Sequence, residues 1–279
     1  MRLGGPIFAS WDGPEAWAAA VRAAGYRAAY CPLEPTADDA TVAAYAAAAD
    51  AADVCIAEVG AWSNPISPDT VTRLAAIDHC IEHLALADRI GARCCVNIAG
   101  SRHATQWDGA HADNLSDDTF ALIVETLRRI IDAVKPTRTY YTVEASPFLQ
   151  PDSAEAFEKL LAAVKRERLA VHFDPVDLIN SPKRYYGSAR LVKEFVAAMG
   201  PRIKSCHARD VILRPSPLVH LDAVPPGEGG IDYTAYLKGI NRLGGDVPIL
   251  LENLRDDTAY QRAAEHLRGV AAKAQISFD

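Results

Sequence analysis

Tyr140-Tyr141-Thr142-Val143-Glu144, Ala170-Val171-His172-Phe173-Asp174, Ile203-Lys204-Ser205-Cys206-His207 and Val247-Pro248-Ile249-Leu250-Leu251-Glu252 are the runs on which the fold turns. Each is short, mostly apolar and rich in β-formers, as a strand covered on both faces has to be. Each also ends on a side chain able to bind a metal. The ends lie 30, 33 and 45 residues apart, which leaves room for a helix and the next strand between them. Upstream, Pro6–Ala9, Ala28–Cys31, Val54–Val59 and Cys94–Ala99 read as strands of the same kind.

Helical periodicity fills the intervals: Pro14–Ala24, Asp38–Ala52, Asp69–Ile90, Ser116–Val134, Ser153–Glu167, Ser188–Met199, Tyr233–Leu243 and Asp256–Ala274. Ser116 ahead of Asp117 and Asp118, and Ser153 ahead of Phe157 and Glu158, have the chemistry of helix starts. Eight strands alternating with eight helices predict an α/β protein, a single (β/α)8 TIM barrel over residues 1–279 with no linker dividing it. A doubly wound sheet is the rival, but no G-x-G-x-x-G follows the first strand. Two long connections, Gly100–Leu115 and Ala208–Asp232, both follow strands and would therefore lie on the catalytic face.

Composition narrows the partners. With 49% hydrophobic and 23% charged residues, 17 Gly and 17 Pro, the 279-residue chain is ordinary for a globular domain. Its 36 acidic against 29 basic side chains give a net charge of −7, without the basic footprint a nucleic-acid ligand requires. The most membrane-like window, Ala43–Ala61, carries Asp50, Asp53 and Glu58, so no membrane partner is expected. The first residues break with Gly4, Gly5 and Pro6 before an apolar leader could form, and the six cysteines contain no CxxC pair. The expectation is a cytoplasmic protein with reduced, buried cysteines, Cys206 among them pointing into packing next to His207.

In a barrel the ends of the last four strands converge, so Glu144, Asp174, His207 and Glu252 would surround one point. Taken singly, an acidic residue at a strand end is more often a helix cap or a surface ion pair. Three carboxylates brought together repel one another, and a shared cation is the natural balance. Three oxygen donors and one nitrogen suit Mn²⁺, then Mg²⁺, Co²⁺ or Fe²⁺.

This quartet, in the contexts Val143-Glu144-Ala145, His172-Phe173-Asp174-Pro175-Val176, Cys206-His207-Ala208-Arg209-Asp210 and Gly227-Glu228-Gly229-Gly230-Ile231-Asp232-Tyr233, resembles the metal site of the xylose isomerase-like TIM barrels. That group, also called the sugar phosphate isomerase/epimerase family, includes ketose 3-epimerases and inosose isomerases. The resemblance spans the chain and implies that Glu144 and Glu252 are both metal ligands and acid/base groups, with Asp174 and His207 completing the site. The implied activity is divalent-metal-dependent epimerisation or isomerisation of a keto-sugar, keto-glycoside or keto-cyclitol through a metal-stabilised enediolate. The alternative at the same site is a lyase or dehydratase that eliminates a substituent from a 3-keto-glycoside or an inosose. A non-catalytic sugar-binding barrel subunit is the second alternative. A homodimer or tetramer is the family-level expectation.

Second-tier candidates surround the quartet. Glu58 and Trp62, read as following the third strand, would bond a hydroxyl and pack on a sugar ring. His103 and Trp107 sit in the loop after the fourth strand, in a stretch suited to a pocket lid. Asp177 stands where the ketose 3-epimerases place a substrate-binding His, and Arg209 would bind a substrate oxygen or anion unless it pairs with Asp174 or Asp210. His172 should face the interior one layer deeper, as a hydrogen-bonded core residue. Gly227–Gly230 reads as a turn rather than a phosphate cradle, since no Lys-Ser/Thr follows it.

Overall fold

The computed structural model describes residues 1–278, and in it eight parallel strands close into a barrel. In chain order the strands are β1 (Arg2–Gly4), β2 (Ala28–Tyr30), β3 (Cys55–Gly60), β4 (Cys94–Ile98), β5 (Tyr141–Glu144), β6 (Leu169–Phe173) and β7 (Ile203–Ala208). An antiparallel hairpin outside the barrel follows, β8 (Asp210–Leu213) with β9 (Leu221–Val224), before β10 (Pro248–Leu251) closes the ring between β7 and β1. The helices are α1 (Pro14–Ala23), α2 (Asp39–Ala51), α3 (Thr70–Ile90), α4 (Asp117–Val134), α5 (Ala154–Val164), α6 (Pro182–Tyr186), α7 (Ser188–Met199), α8 (Tyr233–Asn241) and α9 (Asp257–Lys273).

The alternation read from the sequence is the one observed, with one strand displaced. The first strand is Arg2–Gly4, in register with Pro248–Leu250, and not Pro6–Ala9. Pro6 has no N–H to give a ladder, and Phe8 is 53% exposed in the loop leading to α1. Helix α5 also stops at Val164 because Lys165 turns into the left-handed region, with φ 52°, to start the approach to β6. The hairpin and the short α6 lie within connections that carry too little apolar periodicity to announce them.

Side-chain caps fix where the helices begin. Ser116 accepts from the Thr119 amide and Ser153 from the Ala156 amide, while Asp38, Asp69, Asp232 and Asp256 do the same for α2, α3, α8 and α9. Each such cap contributes about 1 kcal/mol. Between helices and strands lies one large apolar core that includes Cys206, Phe173 and Tyr236. All six cysteines are free thiols, four of them buried. Among the described residues, no helix is long and apolar enough to cross a membrane.

Candidate metal centre

Parallel pairing decides which side chains meet at the mouth. Glu144 ends β5 and pairs with Ile98 of β4, while His207 pairs with Leu250 of β10, so Glu252 emerges two residues further on. Asp174 follows the last residue of β6, where the Val176 amide donates to its Oδ1 at 2.8 Å. His207 Nδ1 lies 3.0 Å from Glu144 Oε1 and 3.2 Å from Glu252 Oε2. Ligand atoms of Glu144, Asp174 and His207 lie within 4.8 Å of one another, and all three residues are buried. The structure thus brings together the four strand-end residues. A second group, Glu58, His172 and His207, satisfies the same distance limit one layer below.

The charges of this region do not balance among themselves. Burial raises the Asp174 carboxyl above its ordinary range; Arg209 opposes this, and the charge of Glu144 reinforces it. Asp177 is pushed well above its ordinary range, again chiefly by burial. For Glu58 and Glu144, burial also pushes upward, but His207 and His172 outweigh it and hold both carboxyls low, Glu144 well below its usual range. Burial works against a charged His207, yet Glu58, Glu252, Tyr30 and Glu144 hold its imidazole protonated well above the usual range. Five carboxyls, Glu58, Glu144, Asp174, Asp177 and Glu252, gather around Arg209, His172 and His207, a surplus that a divalent ion would neutralise. The donor set of three carboxylates and one imidazole fits a hard or borderline divalent ion.

The other candidates are placed less uniformly. Trp62 lies against the centre, its ring centroid 6.4 Å from that of His207. Gly60 makes this possible, since a Cβ there would meet Trp62 Nε1 at 2.6 Å. Arg209 ion-pairs with Asp174 and Asp177, and its Nε lies 3.5 Å from Glu252 Oε2. Asp177 is thus drawn into the centre through Arg209. A cavity of about 300 Å³ opens beside them, lined by Arg209, Glu252, Val224, Pro225 and Leu254 among others. His103 and Trp107 remain with their loop: the Thr105 and Gln106 amides donate to His103 Nδ1, and Trp107 is 41% exposed.

Three placements differ from the sequence reading or were absent from it. Glu58 is not a loop residue open to a hydroxyl: β3 runs on to Gly60, and Glu58 is 1% exposed beneath His207. His172 does face inward, but neither ring nitrogen makes a hydrogen bond; they lie 3.4 Å from Glu58 Oε1 and 3.3 Å from Glu144 Oε1. Asp210, given no role by the sequence reading beyond a possible pairing with Arg209, is buried and accepts from the Gly227, Gly229 and Ile231 amides. A Cβ on Gly229 would lie 2.2 Å from Asp210 Oδ1, so the glycine-rich segment is a turn wrapped on a carboxylate, with those N–H groups already used. The Asp that precedes a Gly-x-Gly turn, Asp210 ahead of Gly227-Glu228-Gly229, is the signal that could have found it.

A family model described as xylose isomerase-like TIM barrel matches residues 18–270. The chain belongs to this family. Among solved structures of similar fold is D-psicose 3-epimerase with D-tagatose from Clostridium cellulolyticum H10, at 15% identity over 97% of this chain and 99% of that one, TM-score 0.68. Another is 3-keto-D-glucoside 4-epimerase from E. coli, at 12% identity over 96% of this chain and 99% of that one, TM-score 0.69. A xylose isomerase-like barrel from Mycobacterium smegmatis in complex with magnesium matches at 15% identity over 94% and 90% of the two chains, TM-score 0.66. A search of curated proteins finds no match. At these identities the neighbours of this xylose isomerase-like barrel establish its fold alone.

Proposed function

We propose that this xylose isomerase-like barrel is a divalent-metal-dependent epimerase or isomerase of a keto-sugar, keto-glycoside or keto-cyclitol. The observation that carries the proposal is the pair of carboxylates, Glu144 at 3.0 Å and Glu252 at 3.2 Å, that reach the same nitrogen of His207. Glu144, Asp174, His207 and Glu252 would hold the ion, with manganese the first choice. When bound, a divalent ion supplies a Lewis acid for the oxygens of an α-hydroxy-ketone, which acidifies the neighbouring C–H.

The protein's residues then do the proton work. One of Glu144 and Glu252 takes the proton from carbon at a carboxylate oxygen, and the other returns a proton to the opposite face, which inverts that centre. Return to the adjacent carbon gives aldose–ketose isomerisation. Trp62 offers an apolar wall for the C–H face of the ring. Arg209, held by Asp177, presents the remaining guanidinium nitrogen to a substrate oxygen.

Two observations favour a substrate larger than a free ketose. The cavity beside Glu252 and Arg209 has an apolar side formed by Val224, Pro225 and Leu254. Exposed Phe8, Trp11, Trp107 and Phe148 also stand in strand-to-helix loops at the mouth end of the barrel. A keto-glycoside fits both, and elimination of its substituent at the same carboxylate pair is the second reading. A panel of keto-sugars, keto-glycosides and keto-cyclitols with Mn²⁺ in deuterated buffer, followed by NMR, tests the proposal. Deuterium at one carbon with every substituent retained is the expected result. Released water or aglycone would select the lyase, and a panel without any exchange would reject catalysis at this carbon centre.

A further inference from the structure

Beneath the imidazole of His207, on the side away from the mouth, lies a layer of polar side chains that no substrate can reach. Glu58, His172 and Ser205 are each no more than 1% exposed. Glu58 Oε2 is 3.1 Å from His207 Nε2, while Ser205 Oγ donates to Glu58 Oε1. The His172 ring stands at 64° to that of His207 with centroids 4.1 Å apart, and its nitrogens lie between Glu58 and Glu144. Two departures from regular barrel pairing create this layer. The β2–β3 register slips between Ala29 and Tyr30, so that Tyr30 pairs with Glu58. The β6–β7 register slips between Val171 and His172, so that His172 pairs with Ser205. Such irregularities re-aim side chains next to functional sites.

We infer that Glu58 is a positioning residue that fixes which nitrogen of His207 faces the metal. This rests on the metal reading proposed above and adds a role for a residue outside the ligand set. Carboxylates face both ring nitrogens of His207, so with an ion on the Nδ1 side, between Glu144 and Glu252, a neutral His207 would carry its single N–H on Nε2, where Glu58, which can only accept, holds it. The Nδ1 lone pair is thereby left toward Glu144 and Glu252. Ligating histidines generally donate their second N–H to such an outer carboxylate, and loss of that partner weakens metal binding about 10–100-fold. Glutamine in place of Glu58 would fill the same space but can turn its NH₂ toward Nε2. That would favour the Nδ1–H tautomer and block the metal-facing nitrogen. A purely structural contact would tolerate the exchange; a tautomer lock does not.

Two measurements on the full chain test this. Histidine ¹⁵N NMR of the wild-type protein loaded with diamagnetic Mg²⁺ or Zn²⁺ should show His207 protonated at Nε2 and ligated through Nδ1; a proton on Nδ1 would overturn the inference without any variant having to fold. Mn²⁺ titration followed by electron paramagnetic resonance should show Glu58→Gln binding about 10–100-fold more weakly than wild type, with Glu58→Asp, still acceptor-only, nearer to wild type. Equal affinity of wild type and Glu58→Gln would overturn the inference and leave the metal reading standing. A wild-type chain that binds none of these ions would overturn the metal reading itself, and the tautomer lock with it.

Discussion

At the base of the barrel, where the strands begin, Arg2 meets Asp53 at 2.8 Å and Asp246 at 3.0 Å, and Arg27 also pairs with Asp53. At the mouth, Glu58, Glu144, Asp174, Asp177 and Glu252 gather around Arg209, His172 and His207. Basic groups match acids at the base, and the Asp53 and Asp246 side chains are about half exposed, at 48% and 55%. At the mouth acids exceed cations, and Glu58, Glu144, Asp174, His172 and His207 are buried. Several of the large apolar side chains that remain exposed, Phe8, Trp62, Trp107 and Phe148, stand in strand-to-helix connections at the mouth, while Val71 and Leu74 lie on α3 and Tyr186 ends α6. A buried surplus of one charge is costly unless a ligand completes it, whereas matched exposed pairs serve only the fold. The contrast is the one expected of a barrel whose lower face is concerned with stability and whose upper face carries chemistry.

Glu144→Gln and Glu252→Gln should produce the sharpest separation of the two ends. Each removes one acid/base group, worth about 10²–10⁴ in rate, and turnover should fall accordingly when followed as solvent-deuterium uptake on the best substrate of the panel. Asp246→Asn at the base should leave that rate unchanged. Near-normal turnover in both glutamate variants would break the two-base scheme, and with it the assignment of chemistry to the mouth.

A smaller effect follows from the protons held at the centre. Among neighbouring carboxylates His207 stays protonated above its ordinary range, and burial raises Asp174 above its own. A metal has to displace both protons to use these groups as ligands, so its affinity should rise with pH and level off once both are deprotonated. Calorimetric titration of Mn²⁺ in two buffers of different ionisation enthalpy measures the protons released. An observed heat that is the same in both buffers, with affinity flat across pH, would contradict the placement of His207 and Asp174 in the ligand set.

The mouth was more legible in the sequence than its depth. Glu144, Asp174, His207 and Glu252 stand at the ends of apolar runs, and parallel strands in a closed barrel leave such ends nowhere to go but together. The depth of Glu58 depends on a register slip at Ala29/Tyr30, which side-chain alternation along one strand does not encode. Alternation along β6 gives the inward direction of His172 but not its position between two carboxylates, which depends on residues from β3 and β5. The pairing of Arg209 with Asp177 joins loops after different strands and leaves no local trace. Arg2–Gly4 is too short and too charged at its start to register as a strand, whereas the apolar Ile7 and Phe8 have the composition of one and lie in the loop.

The smallest expected effect is at the base, and it tests the comparison from the other side. Asp246→Ala removes a partner of Arg2 and of the N-terminal ammonium, which lies 3.9 Å away. Because Asp246 is half exposed, solvent screens these pairs, and the loss should be about 0.5–1 kcal/mol. Its carboxyl is held below the usual range chiefly by its hydrogen bond to Arg2. A folded-state value below the unfolded one means that the contribution is present above the ordinary carboxylate range and disappears as pH falls through the folded value. Denaturant unfolding of wild type and Asp246→Ala should therefore differ at neutral pH and converge in acid, while Mn²⁺ affinity stays the same in both. A gap that persists in acid would assign the loss to packing rather than charge. A drop in Mn²⁺ affinity would show that the ion pairs at the foot of β1 and β10 also help to set the strand ends above them.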